Sequence, residues 1–192
     1  MTATIGWNVV EAAVAITAGA AASSTALVGF GADSLIEVAS AAGVAWQFAA
    51  GSPRVREARE SRALRITAVS FYLLAAYLIL DASLALAAGG RAAPSRIGIG
   101  LAALSLVVMP VLSLTQRRTG RELGSASAVA DSRQTLVCSY LSAVLLVGLV
   151  ANAAAGWWWA DPLAGLVIAG VAIREGREAW RGEGCCAAGA GS

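Results

Sequence analysis

Asp33 and Glu37 stand four residues apart in a stretch, Thr25 to Phe48, that is otherwise small or apolar. A spacing of four puts both carboxylates on one face of a helix. A second group, Asp131, Gln134, Thr135 and Cys138, is spaced three, one and three, and also shares one helical face. Carboxylate, amide oxygen, hydroxyl and thiol can all donate to a metal ion, the amide and hydroxyl weakly. Two ionised acids at i, i+4 repel each other, and one carboxylate at the centre of a bilayer costs about 2.5–3.5 kcal/mol on the insertion scale. A bound cation removes both penalties, and so do protons. Without a cation the pair is expected to hold at least one proton, because loss of water and like charge both disfavour the doubly ionised state. The candidate metal-binding residues are therefore Asp33, Glu37, Asp131, Gln134 and Cys138, with Asp131 and Thr135 as an alternative pair on the later segment.

The elements that must carry these groups are membrane helices. Of 192 residues, 58% are hydrophobic and only 14% charged, against about a quarter charged in soluble domains. A spanning helix needs roughly 20 mostly apolar residues. Six candidates run near Trp7–Ala22, Thr25–Phe48, Leu64–Ala88, Ile97–Leu114, Ala128–Ala151 and Pro162–Ile173. The last is short in hydropathy but can extend at either end. The expected fold class is an all-α membrane protein, a six-helix transmembrane bundle spanning residues 1–181, followed by a short flexible tail over 182–192. Met1 to Gly6 has no basic residue, so the first apolar stretch is expected to be a retained helix and not a secretory signal.

Arg sets the orientation. Arg54, Arg56, Arg59 and Arg62 follow the second span; Arg117, Arg118 and Arg121 follow the fourth; Arg174, Arg177 and Arg181 follow the sixth. The intervening connectors carry only Arg91 and Arg96. The positive-inside rule then places both termini in the cytoplasm, and Trp157, Trp158 and Trp159 at the outer interface, where amphipathic rings are favoured. All fourteen basic residues are Arg; with abundant Ala and Gly this points to a GC-rich bacterial source and a multi-pass protein of its plasma membrane.

Other polar groups read more plainly. Asn8 and Glu11 share a face near the cytoplasmic end of the first span, a shallow and interfacial depth. Asp81 lies near the outer end of the third, where it either attracts cations at an outer mouth or is simply solvated, and Asp161-Pro162 reads as a helix start. Ala15, Gly19 and Ser23 have the small-xxx-small spacing of close helix packing, and Pro110 is expected to kink the fourth span. Cys138, Cys185 and Cys186 make no disulfide framework. The chain has no His, no P-loop pattern and no long soluble segment. Those absences exclude an ATP-driven pump on this chain alone, Ser/His/Asp hydrolysis and His-based intramembrane metal hydrolysis. No enzyme activity, resident cofactor or nucleic-acid partner is expected.

The segments Ala26-Leu-Val-Gly-Phe-Gly-Ala-Asp-Ser-Leu-Ile-Glu37, Ala130-Asp-Ser-Arg-Gln-Thr-Leu-Val-Cys138 and Asp161-Pro-Leu-Ala-Gly-Leu-Val-Ile-Ala169 with Arg174-Glu-Gly176 resemble the cation diffusion facilitator family. The resemblance runs from about Asn8 to Trp180 and is nearest to compact bacterial members without a cytosolic domain. It implies a secondary metal transporter whose second and fifth helices each give an i, i+4 pair to one tetrahedral site at the midplane. Those pairs fall on Asp33 and Glu37 and on Gln134 and Cys138, with Asp131 as a nearby acid. The family's site His is missing, and Cys138 stands where Asp is usual. The resemblance further implies exchange of a divalent cation for protons, and a homodimer formed through the membrane domain.

A Cys138 thiolate favours zinc, cobalt or cadmium over magnesium, and the carboxylates leave manganese and iron(II) open; zinc is the expected cargo. Two other readings use the same residues: a membrane metal sensor or partner subunit that holds an ion without moving it, and a proton-coupled exporter of organic cations. The latter needs an aromatic-lined cavity, whereas the aromatics here cluster at the interfaces.

Overall fold

The computed structural model describes residues 2–89, 92–122 and 126–181, with the side chains of 2–3, 44–45, 47–48, 53, 56 and 126–134 outside the described set. The tail over 182–192 also lies outside it. The chain forms α1 (Thr2–Ala22), α2 (Thr25–Phe48), α3 (Pro53–Ala88), α4 (Arg96–Glu122), α5 (Ala126–Ala155) and α6 (Ala160–Arg181). The all-α, six-helix architecture expected from hydropathy is the one observed. Five helices are long and apolar enough to cross a membrane. The sixth, α6, has 22 residues, about 33 Å at 1.5 Å per residue, which matches a hydrocarbon core of about 30 Å. Its apolar character stops at Ile173, after which Arg174, Glu175, Arg177, Glu178 and Arg181 follow.

Polarity is distributed as a bilayer requires. Ile66, Leu73, Leu80, Leu84, Ile97, Val107 and Val147 are between 64% and 70% exposed, while Glu11, Ser105 and Ser142 are fully buried. So much exposed apolar surface across several helices suits lipid contact and not water.

The basic segment expected to link the second and third spans is helical. Ser52 is extended at φ −147°, ψ 151°, and Pro53 opens α3; proline suits the first helical position, where an N–H has no partner. From there to Ala88 no Gly or Pro interrupts the run, so nothing stops a helix rich in Arg, Glu and Ala. At 36 residues, α3 is about 54 Å long and extends well beyond one membrane thickness. Arg59 ties this extension to the end of α2. Its guanidinium donates to the Trp46 carbonyl at 2.9 Å and lies 4.9 Å from the Trp46 ring centroid.

A two-residue turn joins α1 to α2. Ser23 takes φ 51°, and Ser24 caps α2 by accepting from the Leu27 amide at 3.1 Å. The helices approach so closely that a Cβ on Gly19 would lie 2.8 Å from the Val28 amide nitrogen, and one on Gly31 would lie 2.9 Å from the Ala15 Cβ. Ala15 and Gly19 thus serve the packing their spacing suggests, whereas Ser23 belongs to the turn. The helix α4 runs continuously through Pro110.

The helix α6 packs along α3, where a Cβ on Gly176 would lie 3.3 Å from the Phe71 Cβ, and against α5, where a Cβ on Gly148 would lie 2.9 Å from the Ala164 Cβ; α4 packs along α5. Leu27, Phe30, Leu78, Leu145, Leu149 and Ile168 are no more than 1% exposed and belong to one apolar cluster. On α2, Leu27 and Phe30 lie between the α1–α2 turn and Asp33. On α5, Leu145 and Leu149 lie on the C-terminal side of Cys138. An apolar plug therefore occupies the half of the bundle nearer the α1–α2 turn, with the acids beyond it.

Candidate metal centre

Asp33 and Glu37 face α5 from α2, one turn apart, and Cys138 faces them from α5. One donor atom from each of the three lies within 4.8 Å of the other two. The Cys138 thiol donates to Glu37 Oε1 at 2.6 Å and reaches Asp33 Oδ2 at 3.7 Å. Asp33 is 6% exposed and Cys138 3%; Glu37 is half-buried. Among the described residues no Arg pairs with either acid; Arg174 pairs instead with Glu178 on the surface.

A tetrahedral ion with bonds of about 2.0–2.3 Å to oxygen and sulfur needs donors roughly 3.3–3.6 Å apart. The Cys138–Asp33 separation already suits this. The Cys138–Glu37 contact must open by about 1 Å on loading, which rotation of the Glu37 side chain can supply.

The first helix contributes more than its shallow start suggested. Asn8 is 3% exposed and Glu11 is fully buried, so both face the interior of the bundle. The Asn8 Nδ2 donates to Glu37 Oε2 at 2.7 Å. Ser34, beside Asp33, donates to Glu11 Oε2 at 2.8 Å. Asn8 Oδ1 and Glu11 Oε1 are both buried without a hydrogen-bond partner. The close α1–α2 packing at Gly19 and Gly31 is what brings this pair against the α2 acids. Glu175 of α6 also acts electrostatically on Asp33; its place in the Arg174-Glu-Gly176 segment was visible, its proximity to Asp33 was not.

The other candidates divide. Asp131 and Gln134 lie on α5, but their side chains lie outside the described residues. Thr135 is buried, and its hydroxyl donates to Gln116 Oε1 at 2.9 Å. Gln116 in turn donates to Thr4 at 3.1 Å. This line of polar groups links α5, α4 and α1 on the Arg-rich side of the centre. The opposite side is sealed by the apolar plug.

A multi-pass helical membrane protein that gathers two carboxylates and a thiol inside its bundle is built to handle a cation. The model of the cation efflux transmembrane domain matches residues 62–181, well over half of the chain, and the chain belongs to that family. It is a cation-transporting membrane protein. The match includes Cys138 and starts beyond Asp33 and Glu37, so the α2 half of the centre rests on geometry. No curated protein matches the chain significantly.

Proposed function

We propose that the chain carries a divalent transition-metal ion, zinc by preference, across a bacterial plasma membrane in exchange for protons, and that Asp33, Glu37 and Cys138 hold the ion in transit. The observation that carries this reading is the convergence of three donor atoms within 4.8 Å from two helices. Two carboxylates and a thiolate suit a borderline-soft ion, and the thiolate disfavours magnesium. The fourth position falls to Gln134 or Asp131 of α5, to water, or to the unpartnered Asn8 Oδ1.

The ion enters from the Arg-rich, cytoplasmic side, where Asn8, Thr135 and Gln116 make the approach polar. It displaces the protons shared by the acids and the thiol. The bundle then closes behind it and opens through the apolar plug, and protons taken up from the outer side release it. Each element of this cycle follows from charge: a dianionic buried pair is stable only with a cation or with protons.

Cadmium tests the site directly, because a cadmium–thiolate bond has an ultraviolet charge-transfer band. Purified protein in nanodiscs is expected to develop that band with one equivalent of cadmium. In a background with Cys185 and Cys186 replaced by serine, Cys138→Ser abolishes it, and Glu37→Gln weakens the titration at least tenfold. If the band persists in Cys138→Ser, with Cys185 and Cys186 also replaced by serine, the site is elsewhere.

A further inference from the structure

The transport reading leaves two acids unused, Asp81 of α3 and Asp161 of α6. They meet at the outer end of the bundle. A cavity of about 300 Å³ opens there, lined by Ser23, Thr25, Asp81 and Asp161 among small apolar residues. The Thr25 hydroxyl donates to Asp81 Oδ2 at 2.5 Å, and the Ser24 hydroxyl donates to Asp161 Oδ1 at 2.5 Å. Asp161 is 1% exposed, yet its Oδ2 has no hydrogen-bond partner. The backbone amides of Thr25 and Ala26, at the start of α2, also lie within hydrogen-bonding reach of this carboxylate, and Asp81 sits beside it as a like charge. None of those amides closes a hydrogen bond on Oδ2.

Charge leaves the cavity short of a cation. The N-termini of α2 and α6 both reach this region, and each contributes about half a positive charge. With both ionised, the two carboxylates therefore exceed the helix termini by about one negative charge. Among the described residues no ion pair involves either acid. A carboxylate oxygen this deeply buried and unpaired is costly unless something approaches it.

We propose that this outer cavity is a second cation site, distinct from the centre at Asp33, Glu37 and Cys138, and that it takes a hydrated divalent cation. Its donors are all oxygens, from two carboxylates and neighbouring hydroxyls, so it prefers hard ions and lacks the thiolate that selects zinc or cadmium. Its volume is about ten times the roughly 30 Å³ of one water molecule. An ion therefore keeps most of its water shell, and binding is weak and readily reversed. The site lies eight residues along α2 from Asp33, about 12 Å, with Leu27 and Phe30 between. It is placed to receive an ion released through the plug, or to concentrate cations at the outer mouth.

Manganese tests this without any transport assay. Free manganese is counted by electron paramagnetic resonance while protein in nanodiscs is titrated. Asp33→Asn/Glu37→Gln removes the carboxylates of the inner centre and is expected to retain one weak manganese site, displaced by millimolar magnesium. Adding Asp81→Asn to that background should weaken the remaining site at least tenfold. Asp161→Asn should do the same, with circular dichroism confirming a folded bundle. Asp81 caps no helix, so its variant keeps the test valid if Asp161→Asn fails to fold. Manganese binding unchanged by Asp81→Asn, or absent already from the inner double variant, overturns the proposal. Neither result bears on cadmium binding at Cys138, which separates failure of this site from failure of the inner one.

Discussion

Replacing Asn8 by Leu isolates the contribution of the first helix. The Asn8 amide donates to Glu37 Oε2 at 2.7 Å and fixes the orientation of that carboxylate. Loss of a group that orients a ligand typically costs 10–100-fold in metal affinity, about 1.4–2.7 kcal/mol. Stability should move far less. The lost bond to a charged group contributes about 1.5–3 kcal/mol, but removing Asn8 also removes its buried, unpartnered Oδ1, which costs about 1–3 kcal/mol. The two largely cancel, and Leu keeps the branching and heavy-atom count of Asn. Isothermal titration of zinc into nanodisc-embedded protein should show the dissociation constant rising 10–100-fold, with a melting temperature near that of the parent. In a cycle with Glu37→Gln the two losses should be less than additive, because the second change removes the group the first one positions. Affinity within twofold of wild type, or full additivity, would refute the argument that Asn8 acts through Glu37.

Cys138→Asp keeps an anionic donor but exchanges sulfur for oxygen, so competition binding should shift preference from cadmium toward manganese by at least tenfold. Gly19→Val places side-chain atoms where a single Cβ already lies 2.8 Å from the Val28 backbone; the overpacking should cost about 1–3 kcal/mol, read as a lowered melting temperature in detergent. Single cysteines at positions 56 and 118, in a background without native cysteines, should resist impermeant thiol reagents in intact cells and react in inverted vesicles, as the positive-inside rule requires.

The α2 acids were legible because charge in an apolar span is expensive wherever the span packs. Their convergence with Cys138 was legible only through the resemblance, since helical spacing says which residues share a face but not which helix that face meets. Glu11 shows the cost of reading depth from sequence position. Its place near the start of a span says nothing of what it faces, and the glycine-mediated contact of α1 with α2 buries it fully. The α3 extension escaped hydropathy for a different reason. A polar, Arg-rich segment ends a membrane span, but it does not end a helix when neither Gly nor Pro follows. The outer acids were visible singly, Asp161 as a helix start and Asp81 as an acid that either attracts cations at an outer mouth or is solvated. Their meeting depends on how α3 and α6 pack, which spacing along one helix does not encode.

Metal flux in proteoliposomes under an imposed pH gradient tests the central claim most directly. With a metal-sensitive dye trapped inside, wild-type protein should accumulate zinc faster when the lumen is acidic, because outward proton movement then drives inward metal movement. Glu37→Gln, reconstituted to the same density and verified as folded, should lose the gradient-driven component at least tenfold. Wild-type flux indifferent to the pH gradient, or Glu37→Gln transporting zinc at the wild-type rate, would contradict proton-coupled metal transport through this centre.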